Sequence, residues 1–381
     1  MAELQIPGLA ELREKIDRTD EQILQLLNQR ARLSLAVGDA KAHVPGTKVY
    51  DPEREARLLE KLASLNSGPL TGGHVVAIWR EIMSASRSLQ KPCTVAYLGP
   101  EGTFSYFAAV DFLGNSMTYS PCADFASIFR KINAGVCDMG VVPLENSIHG
   151  TIPQSFDLFS QYSAVSIRAE FFSRIVNSLL SREDSLENVH TVYSHAQPLG
   201  QCAQWLQANI PHARLVSETS TAAAAWHASQ ETGAAAIGHH SMAEKLGMKT
   251  LASNIEDNSD NWTRFVLISA GNIDFGPSSS RFQQGEKKSS LLFTVADRAG
   301  ALSAVLGVFT AHNVNMTKLE SRPRKDSRWK YIFFADVECD LHDPAYAGLL
   351  REIGDLCSSV RVLGCYPEGP QIDSSASTTD F

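Results

Sequence analysis

The chain begins with a long stretch, from about residue 9 to residue 42, whose apolar residues recur at a helical period. This stretch limits the possible folds more than any other part of the sequence. Its apolar positions form one coiled-coil-like stripe, made of Leu9, Leu12, Ile16, Ile23, Leu26, Leu27, Leu33 and Val37. At 1.5 Å per residue, roughly 34 residues span ~50 Å. The pattern therefore predicts a single long helix with one packing stripe.

Arg30 interrupts this stripe at a position where a hydrophobic residue would pack better. A buried, unpaired guanidinium costs several kcal/mol, so an anionic group is expected to meet it. Eleven residues at 100° each bring Lys41 to within ~20° of Arg30, so both can face one ligand. Arg13 lies ~25 Å from Arg30 along the axis, too far for one small metabolite. If Arg13 serves the same pocket, it comes from an antiparallel partner helix, and a dimer follows. The alternative is an Arg30 that extends to the surface or pairs with a glutamate.

Two further helices follow, and both carry polar groups next to apolar ones. Asp51 is an N-cap, Pro52 takes the first helical position, and Arg54 and Glu55 project from the first turn. A third helix, predicted over residues 71 to 90, places Ser86 and Gln90 on one face at i,i+4 spacing.

Together, eight of these positions resemble the active site of the all-helical chorismate mutases: Arg13, Arg30, Lys41, Asp51, Arg54, Glu55, Ser86 and Gln90. The runs LREKIDRTDEQILQLLNQR, YDPEREARLL and REIMSASRSLQ carry the resemblance. It implies an intertwined helical dimer in which Arg13 crosses the interface. It also implies a unimolecular rearrangement of chorismate to prephenate, which needs a compact conformer and charge stabilisation but no cofactor. Arginine forks would bind the two carboxylates. Lys41 and Gln90 would donate to the ether oxygen, and Glu55 would hold the hydroxyl.

Residues 92–270 alternate between strand-like and helix-like stretches. Short buried strands of an α/β sheet are predicted at Thr94–Leu98, Gly140–Pro143, Ala234–Ile237 and Phe265–Ser269. The run GPEGTFSYFAA leaves the first strand through glycines and enters a helix, a geometry suited to an anion. It lacks the GK[ST] of a phosphate-binding loop, so nucleotide binding is not expected. Taken singly, these polar loops could also be capping and turn chemistry.

The order of the loops GPEGTFS, VVPLENSIHG, YSHAQPLGQC, STAAAA and TRF resembles that of prephenate dehydratases. The resemblance implies two α/β lobes, similar to type II periplasmic binding proteins, with the site between them. The implied site residues are Asn146, Ser194, Gln201, Thr263 and Arg264, with Glu145 close by. Prephenate loses CO2 and water, and the enzyme must donate to the departing hydroxide. In the family Thr263 is the favoured donor, and a hydrogen-bonded relay fits a threonine better than direct acid catalysis. Because this segment has only nine Lys or Arg residues, Arg264 and helix N-terminal amides should carry the dianion.

Residues 271–288 are linker-like, and a small α+β domain is predicted after them. Its predicted elements follow the βαββαβ order of a ferredoxin-like sandwich: strands at Ser289–Ala296, Val314–Ser321, Tyr331–Cys339 and Val360–Cys365, with helices near Ala301–His312 and Pro344–Leu356. Its GALS and ESRP runs resemble the phenylalanine-binding motifs of ACT regulatory domains, which implies effector contacts from Gly300, Ala301, Leu302, Glu320, Ser321, Arg322 and Pro323. The tail from Pro367 to Phe381 is predicted to be disordered.

Composition limits the remaining function classes. The net charge is −8, with no concentrated basic surface, so nucleic acid is not an expected partner. No apolar run of membrane length and no signal peptide is present, so we expect a soluble, cytoplasmic protein. Seven cysteines without a CxxC pair favour reduced thiols. The pair His239-His240 lacks ligand spacing and is expected to be structural. We expect no metal and no cofactor.

The three resemblances give the order mutase (1–91), dehydratase (92–270), linker (271–288), ACT domain (289–366) and tail (367–381). This order resembles the bifunctional P-proteins of phenylalanine biosynthesis, which implies chorismate and prephenate as substrates and phenylalanine as a feedback inhibitor. Two alternatives remain open from sequence. The cleft could be a catalytically dead amino-acid sensor, since fold alone does not fix function. Alternatively, the helical domain could serve only to dimerise an active dehydratase.

Overall fold

The computed structural model describes residues 8–42, 52–90, 93–115, 117–271, 286–323 and 331–373. Helices occupy these segments: α1 (Leu9–Ala42), α2 (Pro52–Leu65), α3 (Gly72–Gln90), α4 (Phe104–Leu113), α5 (Phe125–Asn133), α6 (Pro153–Gln161), α7 (Ala196–Gln201), α8 (Ala203–Asn209), α9 (Thr221–Ala228), α10 (Ser241–Leu246), α11 (Ala301–Ala311) and α12 (Ala347–Leu356). Strands occupy these segments: β1 (Thr94–Leu98), β2 (Thr118–Cys122), β3 (Met139–Asn146), β4 (Gly150–Thr151), β5 (Ser166–Arg174), β6 (Ser178–Ser181), β7 (Thr191–His195), β8 (Arg214–Glu218), β9 (Ala234–Gly238), β10 (Lys249–Ser253), β11 (Trp262–Ser269), β12 (Lys287–Val295), β13 (Met316–Pro323), β14 (Tyr331–Val337), β15 (Cys357–Pro367) and β16 (Gln371–Ile372).

The chain forms two compact units. The described residues up to Cys93 make up the first, and the described residues from Thr94 onward make up the second. In the first unit, α1 and α2 each pack against α3. The predicted 34-residue helix is confirmed, and α2 begins at Pro52 as predicted. Most of the apolar stripe on α1 remains exposed in the single chain; for example, Leu26 and Leu33 are 64% and 63% exposed.

The second unit begins with two α/β lobes. The first lobe has strand order β16-β5-β11-β3-β1-β2 with β4 beside β3, and the second has the order β10-β6-β9-β7-β8. The chain crosses from the first lobe to the second through residues 175–177 and returns through residues 254–261. The four predicted strands of this region are confirmed within β1, β3, β9 and β11. The sequence prediction missed the others, several of which are short or polar; the edge strand β2, TYSPC, is an example.

The C-terminal sheet has the antiparallel order β13-β14-β12-β15, and its elements follow the predicted βαββαβ order. One face of the sheet packs on α11 and α12, with Leu291 and Phe293 of β12 in that core. The other face packs on the first α/β lobe: Leu292 and Phe334 share a core with Phe156. The alternation along β12 is the reason for this, because successive side chains of a strand point to opposite faces.

The tail prediction is wrong for the residues that the structure describes after Pro367. The chain continues into β16, which pairs in parallel with β5 as an edge strand of the first lobe. Arg174 and Asp373 form an ion pair of 2.9 Å at its end. Backbone pairing with an exposed sheet edge gives this polar segment its order, and residue composition alone does not reveal such pairing. Residues 374–381 lie outside the described part.

Candidate active sites

The first candidate site lies where α1 faces α3. The Arg30 guanidinium donates to the Ser86 hydroxyl and, at 3.4 Å, to the carbonyl of Ile82. Ser86 is buried, at 8% exposure, and its own hydroxyl donates to Ile82 one turn earlier. The structure therefore brings together two of the predicted mutase residues, Arg30 and Ser86.

The structure does not bring the other predicted mutase residues together with Arg30 and Ser86. Arg13 lies on the exposed surface of α1, 17 residues before Arg30, which keeps the ~25 Å axial separation expected from the helical rise. Asp51 lies outside the described residues. Lys41, Arg54, Glu55 and Gln90 belong to helices by their backbone, but their side chains also lie outside the described part.

The second candidate site is a cavity of about 630 Å³ between the two α/β lobes, called the cleft below. Its lining comes from loops that follow strands of both lobes: Leu98, Gly99, Thr103, Phe104, Ser105, Ala123, Phe125, Pro143, Asn146, His149, Gly150, Thr151, Ile152, Ile175, His195, Gln197, Pro198, Gln201, Thr219, Ser220, Thr221, Asn261, Thr263 and Phe265. Among these lining residues there is no Lys, Arg, Asp or Glu. A charged ligand must therefore rely on polar side chains, imidazoles and backbone groups.

Thr263 and Asn146 stand side by side in the cleft because they are register partners on the antiparallel strands β11 and β3. The Asn146 amide nitrogen donates to Thr263 Oγ1 at 3.0 Å and to Asn261 Oδ1 at 2.8 Å. The Asn146 oxygen accepts from the backbone amides of Ile148 and His149 at 3.1 and 3.0 Å. These bonds fix the orientation of the amide. They leave the Thr263 hydroxyl as an acceptor toward Asn146, with its own hydrogen available for donation elsewhere.

Two helices begin at the cleft wall. Thr103 caps α4 by accepting from the amide of Tyr106, and Ser220 caps α9 by accepting from the amide of Ala223. Both caps, and the residues that open each helix, belong to the lining. The positive ends of two helix dipoles therefore meet the cavity, which suits it to an anion.

Gln201 also lies where the sequence predicts it, and it joins the two lobes. Its side-chain nitrogen lies 3.0 Å from the Nε2 atom of His149, which follows β3 in the other lobe. His149 and His195 are the titratable side chains of the cleft lining. Both stand in motifs that the sequence shows, VVPLENSIHG and YSHAQPLGQC, but the sequence prediction did not select them. A histidine within a loop of small polar residues is a signal that could have identified them.

Ser194 is placed differently from the prediction. Its side chain is fully buried, and its hydroxyl donates to the carbonyl of Ile237 at 2.8 Å. It therefore joins β7 to β9 in the core of the second lobe instead of lining the cleft. It lies one residue before His195, which does line the cleft.

Arg264 also lies away from the cleft, against the prediction. Because Thr263 faces the cavity, its neighbour on β11 points to the opposite face of the sheet. There Arg264 pairs with Glu170 at 2.7 Å and with Asp336 of the C-terminal sheet at 2.5 Å, while Lys288 pairs with Glu170 at 2.6 Å. Arg264 and the two carboxylates are buried, Lys288 is partly buried, and the two cations and two carboxylates balance one another. Arg264 thus joins the cleft strand to the C-terminal domain.

Glu145 lies next to the cleft, but its side chain is turned away from the cavity. Its carboxylate pairs with Lys318 of β13 at 2.8 Å. Alternate residues of the ESRP run also face the first lobe. Glu320 accepts from Thr151 at 3.1 Å, and Arg322 lies 3.6 Å from Asp157. Ser321 and Pro323 are exposed on the other face of the strand.

Gly300 is the left-handed N-cap of α11, with φ +81°, a conformation that favours glycine. Ala301 is buried in the first turn of α11, followed by the half-buried Leu302. β12 and β13 run parallel to each other because both pair antiparallel with β14. The GALS and ESRP runs therefore lie at the same end of the sheet, although β14 separates the two strands.

One cluster among the described residues has metal-ligand chemistry: Asp340, His342 and Cys365 bring ligand atoms within 4.8 Å of one another. The Lys287 ammonium already binds Asp340 at 2.6 Å, and burial raises the pKa of the Cys365 thiol. A cation is thus already in place, and a protonated thiol is a poor ligand. None of the seven cysteines, all of which lie in the described part, forms a disulfide. No described helix is long and apolar enough to cross a membrane.

His239 has a structural environment, as the sequence predicts. Its ring stacks on Phe107 with 4.0 Å between centroids, and its Nδ1 accepts from the amide of Ser241. Burial, together with His240, lowers the pKa of His239 to about 3. The imidazole is therefore neutral at physiological pH.

Comparisons with known proteins agree with this geometry. Family models match in order: chorismate mutase type II at residues 12–91, prephenate dehydratase at 95–272 and ACT domain at 289–355. A bifunctional chorismate mutase/prephenate dehydratase of Aquifex aeolicus is 40% identical over 366 residues, which cover 94% of this chain and 98% of the relative.

Two solved structures resemble the larger unit. A prephenate dehydratase of Arthrobacter aurescens, described as a complex with L-Phe, has a TM-score of 0.64 at 29% identity and covers 72% of this chain and 90% of its own. A prephenate dehydratase of Staphylococcus aureus has a TM-score of 0.61 at 27% identity and covers 72% of this chain and 99% of its own. Because a relative is 40% identical over 94% of this chain and the three family models match in succession, the chain belongs to the family of bifunctional chorismate mutase/prephenate dehydratases.

Proposed function

We propose that this chain carries out two consecutive reactions of phenylalanine biosynthesis at two separate sites. The helical unit converts chorismate to prephenate, and the cleft converts prephenate to phenylpyruvate with loss of CO2 and water. Phenylalanine inhibits through the ACT domain. The observation that carries the dehydratase assignment is the Asn146–Thr263 hydrogen bond inside a cavity with two helix N-termini and no charged carboxylate or ammonium in its lining.

In the cleft, prephenate enters as a dianion. The N-termini of α4 and α9 stabilise its carboxylates, since the lining offers no Lys or Arg side chain and Arg264 is held on the other face of the sheet. An uncharged site also favours the reaction, because loss of CO2 moves negative charge from a carboxylate into the ring, and a fixed cation beside that carboxylate would oppose the loss.

Thr263 acts on the departing ring hydroxyl. Its oxygen accepts from Asn146, so its hydrogen points to the substrate, where it stabilises the hydroxide that forms as the ring becomes aromatic. A threonine hydroxyl does not ionise near neutral pH, so the proton that completes the water molecule comes through a relay. Gln201 and His149, which join the lobes across the cleft, complete the polar wall.

In the helical unit, Arg30 and Ser86 bind one end of chorismate. Lys41 and Gln90 donate to the ether oxygen, Glu55 holds the hydroxyl, and Asp51 and Arg54 complete the pocket. The exposed stripe of α1 supports a homodimer, because a 34-residue helix with leucines more than 60% exposed requires a matching surface, and a second copy supplies one. Arg13 then enters the site from the partner chain. In the ACT domain, Gly300, Ala301, Leu302 and the ESRP run form the phenylalanine pocket.

A coupled assay tests the assignment. Purified full-length protein is given chorismate, and phenylpyruvate is measured; in parallel, prephenate is supplied directly. Turnover of both substrates supports two active sites. A protein that turns over prephenate but not chorismate would have a helical unit that only dimerises. A protein that binds phenylalanine and turns over neither would be a sensor.

A further inference from the structure

Strand β13 is an edge strand of the ACT sheet that contacts the first dehydratase lobe, and its two faces differ. Lys318, Glu320 and Arg322 point to the lobes and are partly buried, while Leu319 and Ser321 on the other face are exposed. All three inward side chains are charged, and each of them contacts a polar group of the first lobe. The strand that carries the ESRP run is therefore attached to the catalytic domain by ionic and polar contacts.

The contacts of Lys318 and Glu320 converge on the β3–β4 hairpin. Lys318 Nζ lies 2.8 Å from Glu145 Oε2 and 3.4 Å from Thr151 Oγ1, and Thr151 donates to Glu320 at 3.1 Å. Glu145 and Thr151 face each other across the hairpin as register partners. Lys318 thus contacts both strands of the hairpin at the same register pair.

The next pair of the same hairpin is Asn146 and Gly150, both in the cleft lining. Asn146 is the residue that donates to Thr263. The Lys318 contact therefore lies one residue from the amide that orients the hydroxyl. The side chain of Lys318 is only 13% exposed, which strengthens its attraction to Glu145 relative to a pair at the open surface.

We propose that Lys318 is a positioning residue for the dehydratase and that it transmits phenylalanine occupancy from β13 to Asn146. The proposal rests on the function given above, since it requires phenylalanine to bind at the ACT domain and inhibit. A ligand held by the exposed end of β13 and the start of α11 can shift an active site only through elements whose arrangement differs between bound and free states. The Lys318–Glu145–Thr151 contact is such a connection, because it links β13 to the hairpin that carries Asn146 and Gly150 of the cleft lining.

Full-length Lys318→Gln and Lys318→Met test the proposal, with Lys318→Arg as the conservative variant. Methionine keeps the apolar stem near the Phe156 ring, 5.9 Å from the present ammonium, while it removes the charge. Lys287→Gln is the matched control, because Lys287 pairs with Asp340 inside the ACT domain at 2.6 Å and touches no cleft residue. The measurements are kcat and KM for prephenate, inhibition at saturating phenylalanine, and phenylalanine binding by calorimetry.

We expect both neutral variants to lose roughly 5- to 10-fold in kcat with KM within about 2-fold, since the hydroxyl acts on the transition state. Phenylalanine should still bind, but inhibition should fall to less than about 2-fold, because a coupling of the usual 5- to 150-fold is lost. Lys318→Arg should restore both properties, and Lys287→Gln should match the wild type.

Other outcomes would overturn the proposal. Neutral variants with wild-type kcat and wild-type inhibition would show that Lys318 neither positions Asn146 nor transmits phenylalanine occupancy. Folded variants that no longer bind phenylalanine would make Lys318 part of the effector site and not a link to the cleft. Failure of both neutral variants to fold would make it a structural residue. A wild-type enzyme that turns over prephenate but is not inhibited by phenylalanine would instead refute the regulatory part of the proposed function.

Discussion

The helical unit and the dehydratase cleft handle anionic substrates in different ways. The helical unit places charged side chains, such as Arg30, on long helices and leaves most of its apolar stripe exposed in one chain. The cleft is enclosed between two lobes of one chain, and its lining has neither ammonium nor carboxylate side chains. In the proposed mechanism, backbone dipoles at the starts of α4 and α9 take the role in the cleft that cations have in the helical unit.

The difference follows from the chemistry. A rearrangement within one molecule benefits from fixed charges that clamp both carboxylates and stabilise the breaking ether bond. Decarboxylation would be slowed by a cation bound tightly to the carboxylate that leaves, and helix termini provide a weaker and more diffuse field. The one arginine of the TRF run is held out of the cleft by Glu170 and Asp336, where it supports the structure.

The largest expected effect is on stability and concerns this arginine. Arg264→Met leaves Glu170 and Asp336 buried with only Lys288 to balance them, which should lower the free energy of unfolding by about 3–5 kcal/mol. Arg174→Met is the control, because its pair with Asp373 is partly exposed and should be worth less than about 1 kcal/mol. The free energy of unfolding of both variants is measured by urea unfolding, with dehydratase activity as the signal of the folded state. Equal losses in the two variants would contradict a special role for the buried network.

The next effect tests whether the two sites are separate. Lys41→Ala should lower mutase turnover by roughly 10²- to 10³-fold, the cost of one preorganised donor, and leave prephenate turnover intact. Thr263→Ala should do the reverse, because it removes the hydroxyl that faces the cleft. Both activities are measured on each purified variant, with each unaffected activity as the control for folding. Loss of both activities in a folded single variant would mean that the sites are not independent.

A third prediction asks whether the mutase site, unlike the cleft, needs two chains. Arg13→Ala and Lys41→Ala homodimers should both be nearly inactive as mutases. A heterodimer of the two should regain activity, since one of its two sites carries both changes and the other carries neither. Dehydratase activity should stay constant throughout. A verified heterodimer that remains inactive would show that Arg13 acts within its own chain or not at all.

The smallest expected effect is the loss of stability at mildly acidic pH that is due to His239. Because burial lowers the pKa of His239 to about 3, the unfolded chain binds this proton first as the pH falls below about 6.5. The free energy of unfolding is therefore not reduced by His239 at neutral pH, and it should decrease by about 1 kcal/mol between pH 7 and pH 5.5. His239→Gln should remove this dependence, while His212→Gln, at an exposed position, should keep it. Urea unfolding at the two pH values decides the matter; a variant with the wild-type slope would refute it.

Much of the fold could be predicted from sequence because the relevant signals are local. Apolar periodicity gave the length of α1, the Asp-Pro start gave the beginning of α2, and the order of elements gave the ferredoxin-like sheet. Asn146, Gln201 and Thr263 were predicted by motif and do line the cleft. Ser194 and Arg264 come from the same motifs, but their side chains lie elsewhere. A motif specifies residues in order, whereas the pleat of the strand decides which side of the sheet each one faces.

The sequence by itself determined the three domains, their order and the residue types of both sites, since these depend on local propensity and on patterns written along the chain. Only the tertiary structure decided where the charges go. It placed Arg264 in a buried network with Asp336, joined Lys318 to Glu145, and added the tail to the first sheet as β16. Those contacts join residues far apart in sequence, and burial sets their strength, so no window of the sequence contains them.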